Sequence, residues 1–276
     1  MVLTLPHELN AIWQYNRAWC ADHLLRAGSE TLQELLADEK YLGGKIGILG
    51  ALHTWGRTLS LHPHVHLLVT GSGIKGEQPV HVKKDFLLPV AVIKAKFRGK
   101  WLTWLNKGYV TGEIRLPDDM TDRDWRKLLT RISRKAWNVR IEGAYRHGRG
   151  VAVYLARYMR GGPIRNDRLI EAGSERVRFR YLDYQDEKTK SMELATDHFL
   201  SRILWHIPPE GLHTIRHYGL YSSGGRRSRE KLRKILGEDE TPHVKEAQNP
   251  SKLEGNVRNA VVHWFEGQPG VRDFPI

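Results

Sequence analysis

An α+β fold built around one main sheet is the expectation for this chain of 276 residues. Three features lead to it. Short glycine- and β-branched-rich runs suit strands, longer runs with helical spacing lie between them, and 40% of the residues are apolar, enough for a real core.

Taken in order, TLPHELNAIWQYNRAWCADHLLRAGSETLQELLAD opens as a short strand ending at Pro6 and continues as two helices, with Ile12, Tyr15, Trp19 and Leu24 forming a stripe. GGKIGILGALHTWGR predicts a buried strand. After the link TLSLHP, HVHLLVTG predicts its antiparallel partner. DFLLPVAVIKAKFRGKWLTWLNKG supplies one long basic helix, and TDRDWRKLLTRISRKAW another opened by a Thr or Asp cap. WNVRIEGAY returns as a strand. GRGVAVYLARYMRGGP is a helix stopped by Gly161, Gly162 and Pro163. PIRNDRLIEAGSERVRFRYLDY predicts a hairpin, and MELATDHFLSRILWHIPP a further helix. No repeat is present. A main domain over 1–237 is expected, with a charged, loosely packed tail over 238–276.

Lys+Arg number 44 against 31 Asp+Glu, a net charge of +13, and the sequence pI is about 9.8. Such a surplus favours a polyanionic partner, nucleic acid or an anionic membrane surface. No apolar run approaches the roughly 20 residues of a membrane span. The opening MVLTLPHELN lacks the features of a secretory signal. Cys20 stands alone, so neither a disulfide framework nor a cysteine-built zinc site is expected. These features predict a cytoplasmic protein that touches nucleic acid. Its nine tryptophans and ten tyrosines offer faces for unpaired bases.

The stretch LHPHVHLLVTGSG puts three histidines into five positions. Alternate strand residues share a face, so His64 and His66 point together, about 7 Å apart. Imidazoles so placed can grip one transition-metal ion. A turn centred between Leu59 and Ser60 sets His53 across from His66 and Trp55 across from His64, making His53 the third ligand. A slip of one residue would turn His53 away. His62 is the rival, sharing parity with the other two.

In YLARYMR, Tyr154 and Tyr158 lie four apart and share a helix face. Arg157 and Arg160 crowd the same turns, and Arg146, His147 and Arg149 lie upstream. A phenol with pKa near 10 is a poor nucleophile. Cations or a metal-held phosphate stabilise phenolate and the charge of the transition state. Histidine strand, tyrosine helix and basic surface together point to attack on a DNA phosphodiester.

LHTWGR, HPHVHLLVTGSG, YLARYMR and IRHYGLYS resemble the rolling-circle transposases of the insertion sequence ninety-one family, two-tyrosine members of the HUH endonuclease superfamily (histidine, bulky apolar residue, histidine). The resemblance runs from about Leu3 to Ser223. It implies a ferredoxin-like or RRM-like antiparallel sheet with packed helices. It also implies Mg²⁺ or Mn²⁺ on His64, His66 and a third ligand, and attack by Tyr154 or Tyr158 on single-stranded DNA at transposon ends and target. The products would be a 5′-phosphotyrosine and a free 3′-OH, with no nucleotide cofactor. A bacterial, nucleoid-associated location follows. A histidine-rich site suits Mn²⁺ better than Mg²⁺, so tighter Mn²⁺ binding is expected. The chain departs from its relatives in lacking their cysteine-rich zinc-binding region and in opening within the strand VLTLP, which suggests a shortened copy.

Two other readings use the same residues. A histidine-metal hydrolase would need neither the tyrosine pair nor the charge, and no HExxH helix is present. A noncatalytic nucleic-acid binder, an RRM-like module or a remnant of such a transposase, finds only a faint aromatic strand motif in RFRYLDY. Further DNA contacts are expected from HTIRHYGLYSSGGRRSREKLRK, through Arg216, Arg226, Arg227 and Arg229. Arg98 and Lys100 are weaker candidates.

Overall fold

The computed structural model describes residues 1–82, 88–145, 148–159, 162–183 and 185–235, without the side chains of 148–149 and 156–159. The tail expected over 238–276 lies outside the described residues. Contacts divide the chain into Met1–Leu232 and Arg233–Ile276. Of the latter, only the end of the last helix is described.

The main sheet begins with β1 (Val2–Thr4). A 3-10 turn and the short helix α1 (Asn10–Tyr15) lead to α2 (Arg17–Ala37). Strands β2 (Lys45–Trp55) and β3 (Leu61–Lys75) form a long hairpin, and β4 (Gln78–His81) folds back on the far end of β3. Helices α3 (Val90–Val110) and α4 (Asp122–Arg134) precede β5 (Asn138–Arg140). Helix α5 (Gly148–Met159) follows. A separate antiparallel sheet contains β6 (Leu169–Ala172), β7 (Arg176–Leu182) and β8 (Thr189–Ala195). Helix α6 (Thr196–Leu204), strand β9 (Ile215–Gly219) and helix α7 (Arg226–Ile235) complete the described chain.

The strand order β5-β1-β3-β2-β9, every pair antiparallel, is the ferredoxin-like β-α-β-β-α-β arrangement extended by β9 at one edge. Pairing fixes the faces. Leu3 lies beside Val65 and Val65 beside Leu52, and all three are buried. This apolar face takes the helices. On α2, a Cβ added to Gly28 would lie 3.0 Å from Leu67 Cδ1 and 3.2 Å from Val65 Cγ1, so the absent side chain lets helix and sheet approach closely. Helix α3 buries Ile93, Phe97, Trp101 and Leu105, four apart along one stripe. Helix α4 starts in a capping box: Thr121 Oγ1 accepts from the Asp124 N–H at 3.3 Å, and the Asp124 carboxylate accepts from the Thr121 N–H at 3.4 Å. Among the described residues, no helix is long and apolar enough to cross a membrane.

Three sequence expectations are corrected. The stripe Ile12–Tyr15–Trp19–Leu24 breaks, because Asn16 (φ −133°, ψ 42°) interrupts the helix and resets its phase. Tyr15 is therefore exposed and Trp19 only half-buried, while Trp13 and Cys20 are core residues. The segment expected as one helix from Met192 begins instead as β8, paired with β7 from Leu182↔Thr189 to Arg176↔Ala195. The helix starts only at Thr196. The segment IRHYG, for which no strand was expected, is a strand paired with the edge of β2.

Candidate metal and tyrosine site

Strand β3 is extended through Pro63, and β2 runs antiparallel to it with His53 opposite His64 and Ala51 opposite His66. His53, expected opposite His66, is thus displaced by two residues, and Trp55, expected opposite His64, by three. Trp55 lies opposite Leu61 across an irregularity that follows His53. A two-residue displacement preserves parity, so His53, His64 and His66 still share the face opposite the helices. Their candidate ligand atoms all lie within 4.8 Å of one another. His62 is outside this group and exposed. Its backbone carbonyl, however, accepts from His64 Nδ1 at 2.7 Å. A carbonyl can only accept, so Nδ1 of the neutral ring carries the hydrogen and the Nε2 lone pair is left for an ion.

Tyr154 on α5 is 3% exposed, and its hydroxyl is 3.3 Å from His66 Nδ1. The Tyr145 ring covers it, with centroids 5.7 Å apart. Tyr158 lies one turn further along α5, and its side chain lies outside the described residues, as do those of Arg149, Arg157 and Arg160. Burial drives the pKa of His64 down to about 3 and that of His66 to about 2, reinforced by repulsion from His53. All three rings crowd together, with His53 centroids 5.4 Å from His64 and 4.6 Å from His66. His64 and His66 therefore stay neutral, the state in which imidazole coordinates metal.

The family model Y2_Tnp, described as "Putative transposase", matches residues 47–231. The chain belongs to this transposase family. It is 36% identical over 262 residues, 91% of its length, to "Putative transposase y4qJ" of Sinorhizobium fredii (strain NBRC 101917 / NGR234). It is 32% identical over 232 residues, 81% of its length, to "Transposase for insertion sequence element IS801" of Pseudomonas savastanoi pv. phaseolicola. It spans 65% and 54% of the lengths of these two curated relatives. No solved structure matches it at comparable significance.

The turn of the β2–β3 hairpin in this transposase-family chain is clamped from outside. Leu59 is fully buried at φ +59°, a backbone conformation that costs a branched residue energy. The second sheet and α6 hold it there. Arg168 Nη2 donates to the Arg57 carbonyl at 2.6 Å, Arg202 Nη1 to the Thr58 carbonyl at 2.8 Å, and Arg57 Nη1 to the Leu182 carbonyl at 2.9 Å. The buried His206 uses both ring nitrogens on the hairpin. Nε2 lies 3.1 Å from the Leu59 carbonyl, so it is the donor, and Nδ1 accepts from the Thr54 hydroxyl at 3.2 Å. Trp55 packs edge-on against His206 and stacks on His53, with centroids 6.1 and 4.5 Å apart. His206 thus buttresses the strand segment that carries His53. Nothing in the spacing of LWHIPP signals this role.

The arginines expected to contact DNA have these partners. Arg216 pairs with Gly50 in the ladder, so it faces the helices and reaches Asp22 of α2 at 2.5 Å. Ile215 and His217, its neighbours, share the histidine face. Arg226 pairs with Glu230 at 2.8 Å, and Arg229 donates to the Ser222 carbonyl at 2.9 Å and to that of Leu220. Arg227 is exposed on α7. Arg98 donates to the Lys135 carbonyl, and Lys100 is paired with Glu30 and Glu34.

Two outcomes follow, both measured by urea unfolding in EDTA. His206→Ala removes two buried hydrogen bonds at the strained turn and should cost about 2 kcal/mol. His206→Gln, which can still donate and accept, should recover part of that loss. The second concerns pH. Unfolded histidines protonate near 6.5 while His64 and His66 stay neutral to far lower pH, so the unfolded state binds more protons below 6.5. Stability is full above 6.5 and should fall from pH 6.5 to 5, by on the order of 1 kcal/mol per pH unit for each such histidine. His206, also lowered by burial, acts in the same direction. Carboxylates titrate below this window, so a flat profile between 6.5 and 5 would contradict the account.

Proposed function

We propose that the chain cuts and rejoins single-stranded DNA as a rolling-circle transposase, with Tyr154 as a nucleophile. The observation that carries this reading is the Tyr154 hydroxyl, held 3.3 Å from a ring nitrogen of His66 inside the three-histidine cluster. His53, His64 and His66 would hold one Mg²⁺ or Mn²⁺. The fit rests on three clustered imidazoles, two of them kept neutral by burial and one with its tautomer set by a backbone carbonyl. Bound there, a divalent ion supplies Lewis-acid polarisation of a phosphate oxygen.

The protein's own groups do the rest. When His66 Nδ1 donates to the Tyr154 oxygen, it stabilises phenolate at the moment of attack. The phenol oxygen forms a bond to phosphorus as the bond to the 3′ oxygen breaks. The tyrosine proton passes to solvent, the 3′ oxygen takes up a proton from solvent and leaves as hydroxyl, and the 5′-phosphate stays on tyrosine. Reversal by another 3′-OH rejoins a strand without external energy, and Tyr158 would serve a second transfer. The single-stranded form is favoured by a cavity of about 230 Å³ reaching from His53. Trp13, Trp55, Trp205 and Ile215 line that cavity with Arg17, as stacking on an unpaired base requires.

The test is covalent capture. With Mn²⁺ and labelled single-stranded oligonucleotides, wild type should carry label through denaturing electrophoresis. His64→Ala should lose the adduct by at least 100-fold, and Tyr154→Phe should lose it or leave only that formed by Tyr158. Adducts that persist in the Tyr154→Phe, Tyr158→Phe double variant would overturn the tyrosine chemistry. Salt-sensitive binding with no adduct on any DNA would indicate a binding-only remnant.

A further inference from the structure

Helix α4 carries a second charged feature on its outer face. Trp125, Leu128 and Ile132 turn inward and are buried. Arg123, Arg126, Lys127, Arg131 and Arg134 recur at the three- and four-residue spacings of the opposite face. With Thr130 they form the entire lining of a shallow groove. At 1.5 Å per residue the row is about 16 Å long.

Several cations on α2 and α3 contrast with this row in having carboxylate partners. On α2, Arg26 lies 3.8 Å from Asp22 and 3.6 Å from Glu30. On α3, Lys96 meets Glu34 at 2.8 Å, and Lys100 meets Glu30 and Glu34 at 3.1 and 2.7 Å. On α4, only Lys127 has a carboxylate, Asp124 at 3.5 Å. Among the described residues, Arg123, Arg126, Arg131 and Arg134 have none within ion-pair distance, and all four are exposed. The two acids of α4 are otherwise engaged, Asp124 in the cap and Asp122 by the Tyr109 hydroxyl. Like charges at these spacings destabilise a helix, and among the described residues only the Lys127–Asp124 pair and the last-turn position of Arg131 and Arg134 offset them.

We propose that this face of α4 binds the phosphate backbone of duplex DNA, at a place separate from the cleavage site. Helix α4 packs on α3, on the side of the sheet opposite the histidines, so one nucleotide cannot occupy both. The row also lacks what a single strand needs. Surfaces for unpaired nucleic acid combine cations with exposed aromatic faces, and the aromatic ring of α4, Trp125, is buried. A straight array of fixed cations without stacking groups suits the regular phosphates of a duplex, read without sequence preference. The choice of DNA as the polyanion rests on the transposase reading above; the charge geometry does not. Duplex flanking a single-stranded substrate would be held here while the unpaired strand lies at the histidines.

The experiment uses the full chain in EDTA, where no cutting occurs, and a labelled 30-base-pair duplex followed by fluorescence anisotropy. R123Q/R126Q/R131Q/R134Q should bind the duplex at least tenfold more weakly at 0.1 M NaCl. The slope of log affinity against log salt should become shallower by about 3 to 4, the value for four lost phosphate contacts. A control, K40Q/K45Q/K107Q/K188Q, removes equal charge from scattered exposed positions and should stay within threefold of wild type. Equal losses in both variants, or a duplex affinity unchanged by the α4 substitutions, would overturn the proposal. If the quadruple variant has a lowered thermal midpoint, R126Q/R131Q supplies the same comparison with half the slope change. Covalent capture of a short single strand with Mn²⁺ reports separately on the cleavage reading. Its failure with duplex binding intact would refute the tyrosine chemistry and leave the α4 surface standing.

Discussion

Cross-strand pairing between β2 and β3 is the constraint on which the candidate site depends. An antiparallel ladder gives adjacent residues opposite faces and paired residues the same face. His53 opposite His64, with His66 two residues further along, therefore forms a triangle of imidazoles in which no loop takes part. The other face of the same strands carries Val65, Leu67 and Leu52 into the core. Loss of register would expose that core and scatter the histidines at once, so the packing that stabilises the fold also preserves the site.

The hairpin end needs more than the ladder. Its turn contains a buried leucine in a left-handed conformation, and three carbonyls there accept from Arg168, Arg202 and His206. The β6–β8 sheet and α6 are thus coupled to the geometry of His53 without touching an ion. The two faces of the sheet divide the labour: one holds the histidines with Tyr154 packed beside them, and the other, beneath α2 and α3, anchors the sheet.

Much of this was legible in the residues. The fold class, the long hairpin, the helix carrying Tyr154 and the shared face of His64 and His66 all follow from local periodicity. The place of His53 survived an error in the expected pairing because the displacement was even. What could not be read depends on contacts between distant parts of the chain. Strand β9 is five residues of mixed polarity whose strand character comes from pairing with β2. Arg216 looks like a phosphate ligand until Asp22, 194 positions away, is seen to hold it. The second half of β8, Met192–Ala195, has the composition of a helix, and pairing with β7 overrides it. His206 acts through bonds to Thr54 and Leu59, and no spacing rule anticipates those.

The most direct test of the central claim, that one ion sits on three imidazoles, is pulsed electron paramagnetic resonance of Mn²⁺ bound to protein carrying ¹⁵N-histidine. The account predicts a single bound Mn²⁺ coupled to three imidazole nitrogens, falling to two in His53→Ala. Mn²⁺ without nitrogen coupling, or coupling unchanged when His53, His64 and His66 are all replaced by alanine, would contradict it.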